Sequence, residues 1–326
     1  MSIIKILLFV IVQILLLPLF IVGCVPVAIR QILVSKKFGL SGTAVDILQT
    51  RWIQHYFGGR NDPITIELAK GLPNMSHVGM SLAMSGVAIA HRLFNYTPGI
   101  FSVAEAGKES VLNFFYSRHL FFDDVFERNL GDMEQVVFMG AGFDTRSFTY
   151  CRSDHLKVFE LDQTNTQTVK RKALERAGLD TEFITFVSVD FNHEDWHEKL
   201  LESGFKPGKK TLFLWEGVTL YLEEAEVRAT LQRVSEIGGP GSILALDVYS
   251  HSFVEMAKKP VDVIYKNTTG ETLGFSLDFA TDPKSGVHAL LNDASLQVSR
   301  IKMCGDKVEG KRPFVALVEA LVGEAI

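Results

Sequence analysis

Cysteine is scarce in this chain of 326 residues: Cys24, Cys151 and Cys304 stand far apart, and none belongs to a Cys-x-x-Cys pair. That spacing excludes a disulfide framework and a thiolate zinc site, and it points to a reducing compartment with no structural metal. Charge of one sign is equally short of a run. Lys and Arg number 33 against 38 Asp and Glu, for a net charge of −5. The basic residues are scattered, which removes nucleic acid as a partner. There is no internal repeat and no low-complexity tract.

What is present is one long apolar run. Residues 6–29 carry no charge, and Gln13 is their one strongly polar side chain. At about 1.5 Å per residue such a helix reaches about 36 Å, enough to cross a hydrocarbon core of about 30 Å. Fifteen of the seventeen residues at 6–22 are Leu, Ile, Val or Phe, and together they outweigh Gln13 and a kink at Pro18. A membrane helix is the expectation. Ile21-Val-Gly-Cys24 resembles a lipoprotein cleavage box, and a monotopic hairpin bent at Pro18 and Pro26 is a third reading. Arg30, Lys36, Lys37 and Arg51 follow the run while Lys5 precedes it, so the positive-inside bias puts the C-terminal side in the cytoplasm.

Three regions are expected: an anchor at 1–37, a helical cap and substrate region at 38–130, and an α/β core at 131–326. Pro63, Pro73 and Pro98 punctuate the cap. Within it, 78–90 is free of charge, which suits either a buried core helix or a lid close to a membrane. Beyond residue 130 strand and helix alternate. Strands are predicted at 135–139, 157–161, 183–189, 211–215 and 242–248, with helices such as 164–177 and 223–237 between them. Such alternation implies parallel strands joined by right-handed crossovers. Two further β-like runs, 296–303 and 314–322, flank a polar turn and suit a closing antiparallel hairpin. The fold class predicted is α/β: a seven-stranded, doubly wound, mostly parallel sheet with a helical N-terminal region and a membrane helix.

The most informative stretch is Gln135-Val-Val-Phe-Met-Gly-Ala-Gly-Phe-Asp-Thr-Arg146. A β-branched run breaks into Gly140 and Gly142, residues able to take positive φ and to admit a ligand close to the backbone. Lys157-Val-Phe-Glu-Leu-Asp162 follows, placing carboxylates about twenty residues past the first glycine, where nucleotide folds bind ribose hydroxyls. Asp162 is the candidate acid, and Glu160 points to the same side of the strand. A dinucleotide fingerprint needs a third glycine at 145, and Thr stands there. The pattern therefore favours an adenosine ligand without a pyrophosphate, such as S-adenosylmethionine, over a nicotinamide cofactor.

Five ordered motifs carry a family resemblance. The run 137–146, Phe159-Glu-Leu-Asp162, the segment 189–196, Trp215-Glu-Gly-Val-Thr-Leu-Tyr-Leu222 and Gly239-Pro-Gly-Ser242 resemble the leucine carboxyl methyltransferase family of S-adenosylmethionine-dependent O-methyltransferases. A weaker echo runs from Ser41-Gly-Thr-Ala44 to Arg51. The resemblance implies that Arg118 pairs with the methionine carboxylate, that Gly140 and Gly142 form the cofactor turn, and that Asp162 binds the ribose. It further implies that Asp190 and Phe191 hold the adenine and that Glu216 faces the cationic methionine portion. Tyr221 is a substrate-side candidate. Asp144 with Arg146, and Asp123 with Asp124, read as structural braces.

Methyl transfer from a sulfonium is an in-line displacement, so alignment is the protein's main task. A carboxylate acceptor is already ionised at neutral pH and needs no base. A phenol or alcohol would need one, for which His119 and His77 are candidates. The apolar run departs from the soluble members of the family and points to a lipophilic acid met at a membrane surface. An inactive tethered binding module and a nicotinamide oxidoreductase are the competing readings.

Overall fold

The computed structural model describes residues 3–191, 193–261 and 272–323; Asn192 of the 189–196 motif falls outside them. Two apolar helices, α1 (Ile3–Leu15) and α2 (Leu17–Ile29), open the chain. The hydrogen bonds Leu16 N to Val12 O and Phe20 N to Leu16 O carry the ladder across the bend at Pro18. A π turn, Arg30–Val34, and the single turn α3 (Ser35–Phe38) extend the rod to Gly39, whose φ of +59° stops it. The stretch Leu17–Phe38, 22 residues at mean hydropathy 2.1, is long and apolar enough to cross a membrane.

Helices α4 (Gly42–Tyr56) and α5 (Pro63–Gly71) follow, each with a side-chain cap. Ser41 Oγ accepts from Ala44 N at 3.0 Å, and Asp62 Oδ1 accepts from Thr65 N at 3.1 Å with Pro63 pre-set in the first turn. Then come α6 (His77–Ala83) and α7 (Ser85–Phe94), also joined end to end, and α8 (Phe114–Asn129), which delivers the chain to the sheet.

The α/β part runs β1 (Gln135–Met139), α9 (Arg146–Tyr150), β2 (Lys157–Asp162), α10 (Thr164–Arg176), β3 (Ile184–Ser188), α11 (Trp196–Glu202), β4 (Thr211–Trp215), α12 (Glu224–Ile237) and β5 (Ile243–Tyr249). It ends with α13 (His251–Val261), α14 (Pro283–Asn292), β6 (Leu296–Cys304) and β7 (Val315–Val322). The seven strands lie in the order β3-β2-β1-β4-β5-β7-β6. The first five are mutually parallel, and β7 inserts antiparallel between β5 and β6. The predicted α/β class is borne out in its seven-stranded, mostly parallel sheet, its closing hairpin and its helical N-terminal region.

Strand periodicity sorts the core into two layers. Val136, Phe138, Leu212 and Leu214 face the helices of the N-terminal half, where Trp52, Phe122 and Phe126 meet them. Val137, Met139, Phe213 and Trp215 face α11, α12 and α14. With both faces covered, these strands read as continuous apolar runs, the usual composition of parallel strands. The 38–130 region shares the first of these cores with the sheet.

Candidate functional site

The crossover order leaves a crevice at the C-terminal ends of β1 and β4, where neighbouring connections leave toward opposite faces. A cavity of about 430 Å³ fills it. Its floor is the turn after β1. Gly140 N and Ala141 N both donate to Leu161 O at 2.9 Å, which turns the chain sharply off the strand. Gly140 sits at φ +71° and Gly142 at +45°. A Cβ at Gly140 would lie 2.4 Å from Val218 Cγ2, so this glycine lets two strand ends close on each other. At Gly142 the nearest atom to an added Cβ is Ala44 Cβ at 3.7 Å; there the glycine leaves room beside the cavity.

Asp162 ends β2 on the cavity wall. Its carboxylate accepts from Gly142 N at 2.6 Å and Gln163 N at 2.7 Å, and burial pushes its pKa up against those hydrogen bonds. Asp190 and Phe191, just beyond β3, line the same wall, and Phe191 stacks obliquely beside Trp196 at 6.4 Å. Glu194 Oε2 accepts from Asp190 N at 2.8 Å and fixes that turn.

The opposite wall is a buried ionic network. Arg118, in mid-α8, donates from Nη1 to Asp247 Oδ2 at 3.0 Å and to Tyr249 Oη at 2.7 Å. Its Nε stands 3.0 Å from Glu216 Oε1. Glu216 also meets Arg146 Nη1 at 2.5 Å and Arg51 Nη2 at 3.3 Å. Asp144 joins Arg146 at 2.6 Å and Arg51 at 2.7 Å. Asp123 ties Arg146 to Arg60, which also pairs with Asp62. Four guanidiniums thus face five carboxylates, the fifth being Asp247, which leaves a surplus of one negative charge for a cationic ligand. Burial alone would raise the Glu216 and Asp144 carboxyls, but the arginines overrule it and hold both below the ordinary carboxylate range. Burial raises the Tyr249 phenol well above its usual value, so it stays protonated.

The structure gathers Arg118, Gly140, Gly142, Asp162, Asp190, Phe191, Glu216 and Tyr221 around one cavity. Three expected residues lie elsewhere. Glu160 is two residues before Asp162 and one pleat deeper; α9 and α10 cover it, and its carboxylate is taken by Lys170 Nζ at 2.7 Å and Ser147 Oγ at 2.8 Å. It supports the sheet rather than facing a ligand. His119 is sealed beneath the network, its Nδ1 3.0 Å from Gln54 Oε1. Burial and four nearby arginines hold it neutral. His77 stands at the start of α6, edge-on to Trp52 at 5.9 Å, and is not part of the cavity wall. Nor does any residue of 77–94 line it, so the charge-free segment is no lid.

The Asp144–Arg146 brace is present as expected, whereas Asp124 braces Arg128 and Arg300 on the surface. Arg51 and Asp247 were not assigned a role by the sequence. Asp247 was detectable as the lone acid within the apolar strand Ile243–Tyr249. It accepts from Gly217 N at 2.9 Å as well as from Arg118, and so sets the turn beneath Glu216. Arg51 Nε and Nη1 are buried without a hydrogen-bond partner, whereas Arg118 Nε and Glu216 Oε1 have each other as ion-pair partners. Such unsatisfied atoms beside a cavity fit a polar ligand. Phe115, Leu220, Phe253 and Leu273 add an apolar stretch to the wall, while Ser41, Thr43 and Asp46 line it from α4 and its cap.

Residues 83–235 match the family described as leucine carboxyl methyltransferase, which bears out the resemblance carried by the motifs. A Mycolicibacterium paratuberculosis protein named for S-adenosyl-L-methionine-dependent methyltransferase activity is 31% identical over 141 residues, 43% of this chain and 46% of its own length. A similarly named protein of Rhodococcus jostii is 34% identical over 139 residues, 42% of this chain and 47% of its own. The chain thus spans about half the length of the curated relatives it matches. Among solved structures, the magnesium protoporphyrin IX methyltransferase of Synechocystis with bound S-adenosylhomocysteine aligns at TM-score 0.41 and 13% identity, covering 68% of this chain and 90% of that one.

Proposed function

We propose that this chain, with its leucine carboxyl methyltransferase region at 83–235, is an S-adenosylmethionine-dependent O-methyltransferase that esterifies the carboxylate of a lipophilic small molecule at a membrane surface, with its catalytic part on the cytoplasmic side. The observation that carries the reading is one cavity with two unlike halves. One half holds the glycine turn, Asp162 and Asp190; the other is the aromatic and aliphatic wall of Phe115, Tyr221, Phe253 and Leu273.

S-adenosylmethionine supplies an electrophilic methyl group on a cationic sulfonium. On the protein's side, Asp162 accepts from ribose hydroxyls, Asp190 and Phe191 hold the adenine, and Gly140 and Gly142 permit close backbone approach. Arg118 receives the methionine carboxylate, fixed in place by Asp247 and Tyr249. The surplus negative charge of the network favours the cationic end. With both histidines away from the cavity, an acceptor already ionised at neutral pH fits best. The apolar wall excludes water and favours the neutralisation that accompanies ester formation. The long apolar helix is stopped by Gly39, and Ser41 caps the helix that follows; both residues line the cavity, which suits an acceptor arriving from lipid.

The test is transfer of labelled methyl from S-adenosylmethionine by the full chain in lipid vesicles, with a long-chain acid, a short soluble acid and a phenol offered separately. The expected result is a base-labile ester on the long-chain acid. Transfer confined to soluble acceptors or to the phenol, or turnover of the long-chain acid in membranes unaffected by deleting residues 1–30, overturns the substrate reading.

A further inference from the structure

The apolar N-terminal rod does not project from the catalytic part; it is the outer layer of a three-layer flank. Helices α1 and α2 run antiparallel to α7 and α6 along their whole length. Lys5 Nζ donates to Asn95 O at 3.4 Å at one end, and Arg30 Nη1 to Met75 O at 3.0 Å at the other. Between these ends Phe9 meets Tyr96 at 5.2 Å. The backbones come close enough that a Cβ at Gly23 would lie 2.5 Å from Gly79 O and Ala83 N, and one at Gly86 would lie 2.6 Å from Gln13 Oε1. Small residues that let helices touch are the packing solution used where lipid surrounds them. Gln13, the one strongly polar side chain of residues 6–29, thus faces a helix partner rather than the outside.

Helices α6 and α7 are in turn fastened to the catalytic part. Met80, Met84 and Val87 enter the core shared with the sheet. His77 meets Trp52, His91 meets Phe57 at 5.3 Å, and Arg92 Nη2 donates to Tyr56 Oη at 3.1 Å. Their outer stripe stays uncovered: Val78 is 69% and Leu93 70% exposed. Leu7, Ile11, Ile14 and Val22 on the adjoining rod are exposed as well. At about 1.5 Å per residue the rod from 3 to 38 is about 54 Å long, against about 30 Å for a hydrocarbon core. Crossing the bilayer would require stripping the rod from α6 and α7 and exposing the glycine seam.

We propose that α1–α2 and α6–α7 enter one leaflet together, lying in the membrane plane with their outer rows in the acyl region, so that the chain is monotopic and its own flank, not only its N-terminal segment, touches lipid. The inference rests on the membrane reading above and deepens it. Lipid is the occupant because the exposed residues of the rod are overwhelmingly apolar and Val78, Ile89 and Leu93 add exposed apolar side chains on α6 and α7, while cations stand at the margins: Lys5, Arg92, Lys36 and Lys37. That is the charge distribution of an in-plane element on an anionic leaflet. In this pose the rod's end brings Gly39 and Ser41, and with them the cavity, to the membrane surface.

The test uses the full chain with Cys24→Ala in sealed phosphatidylcholine/phosphatidylglycerol vesicles. One variant carries a cysteine on a short Gly/Ser extension ahead of Met1, a second carries Glu175→Cys on exposed α10, and a third carries Leu93→Cys bearing an environment-sensitive fluorophore. An impermeant maleimide is expected to modify the extension and Glu175→Cys equally in intact vesicles, and spin-labelled lipid to quench the fluorophore at 93 several-fold. An extension protected until detergent is added means a spanning rod, which overturns this inference and leaves the membrane reading standing. A vesicle-bound chain whose fluorophore at 93 is unquenched, whether in water or against a second copy, also overturns it. Failure to sediment with vesicles at all sinks the membrane reading itself.

Discussion

Replacing Asp162 by Asn probes the ribose end of the cavity without disturbing its shape. In the free protein the carboxylate accepts from Gly142 N, Gln163 N and the Thr166 hydroxyl, and from the cavity wall it offers its remaining acceptor capacity to the ribose hydroxyls. Hydrogen bonds to an ionised acceptor are each worth about 1.5–3 kcal/mol, and an amide oxygen keeps part of that. The expected loss is about 2–4 kcal/mol, or roughly 30- to 1000-fold in Kd. Folding should hardly change. Burial raises the Asp162 pKa, so the ionised group costs stability at neutral pH, and Asn removes that cost while weakening the bond to Gly142 N. Calorimetry with S-adenosylhomocysteine and with its 2′,3′-dideoxy analogue separates the terms: the variant should lose affinity for the first and little for the second. Equal losses for both ligands, or a change below about threefold for the natural one, would refute the assignment.

The network makes further predictions. Arg146→Met leaves Asp144, Asp123 and Glu216 without their shared partner and should cost about 3–5 kcal/mol in urea unfolding. Asp144 and Glu216 have folded pKa values below the ordinary range, so the stability they contribute is present above their unfolded values near 4 and is lost as pH falls. Unfolding followed by circular dichroism should steepen below about pH 4, and less steeply in Arg146→Met. Gly140→Ala imposes a left-handed conformation costing about 1–2 kcal/mol and a collision with Val218; it should lower both Tm and affinity for S-adenosylhomocysteine, measured by scanning calorimetry and titration.

The sheet was legible because most strands are short apolar runs closed by glycine or an acid, as at Gly140, Asp162 and Glu216, a local pattern that tertiary packing did not override. The cavity wall was legible for the same reason: Gly140, Asp162, Asp190 and Glu216 sit at strand tips, where position alone implies exposure to a ligand. Glu160 shows the limit of that reasoning. Strand alternation gave its side correctly, but not the cover of Ser147 and Lys170 above it. Arg51 meets Asp144 and Glu216 across 93 and 165 positions of chain, and such pairings have no local signature. His119 carried the residue type expected of a base, yet only packing reveals four guanidiniums around it. The segment 78–90 lacked charge for two reasons at once, one face in the core and another against the N-terminal rod, which no single-helix pattern distinguishes.

The central claim is that strand-tip carboxylates around the Gly140–Gly142 turn hold an adenosine-bearing methyl donor. Crystals grown with S-adenosylhomocysteine test it most directly. The account predicts the ribose on Asp162, the adenine beside Asp190 and Phe191, and the amino-acid end between Arg118 and Glu216. An empty crevice at saturating ligand, or one that instead takes up a nicotinamide dinucleotide, would contradict it.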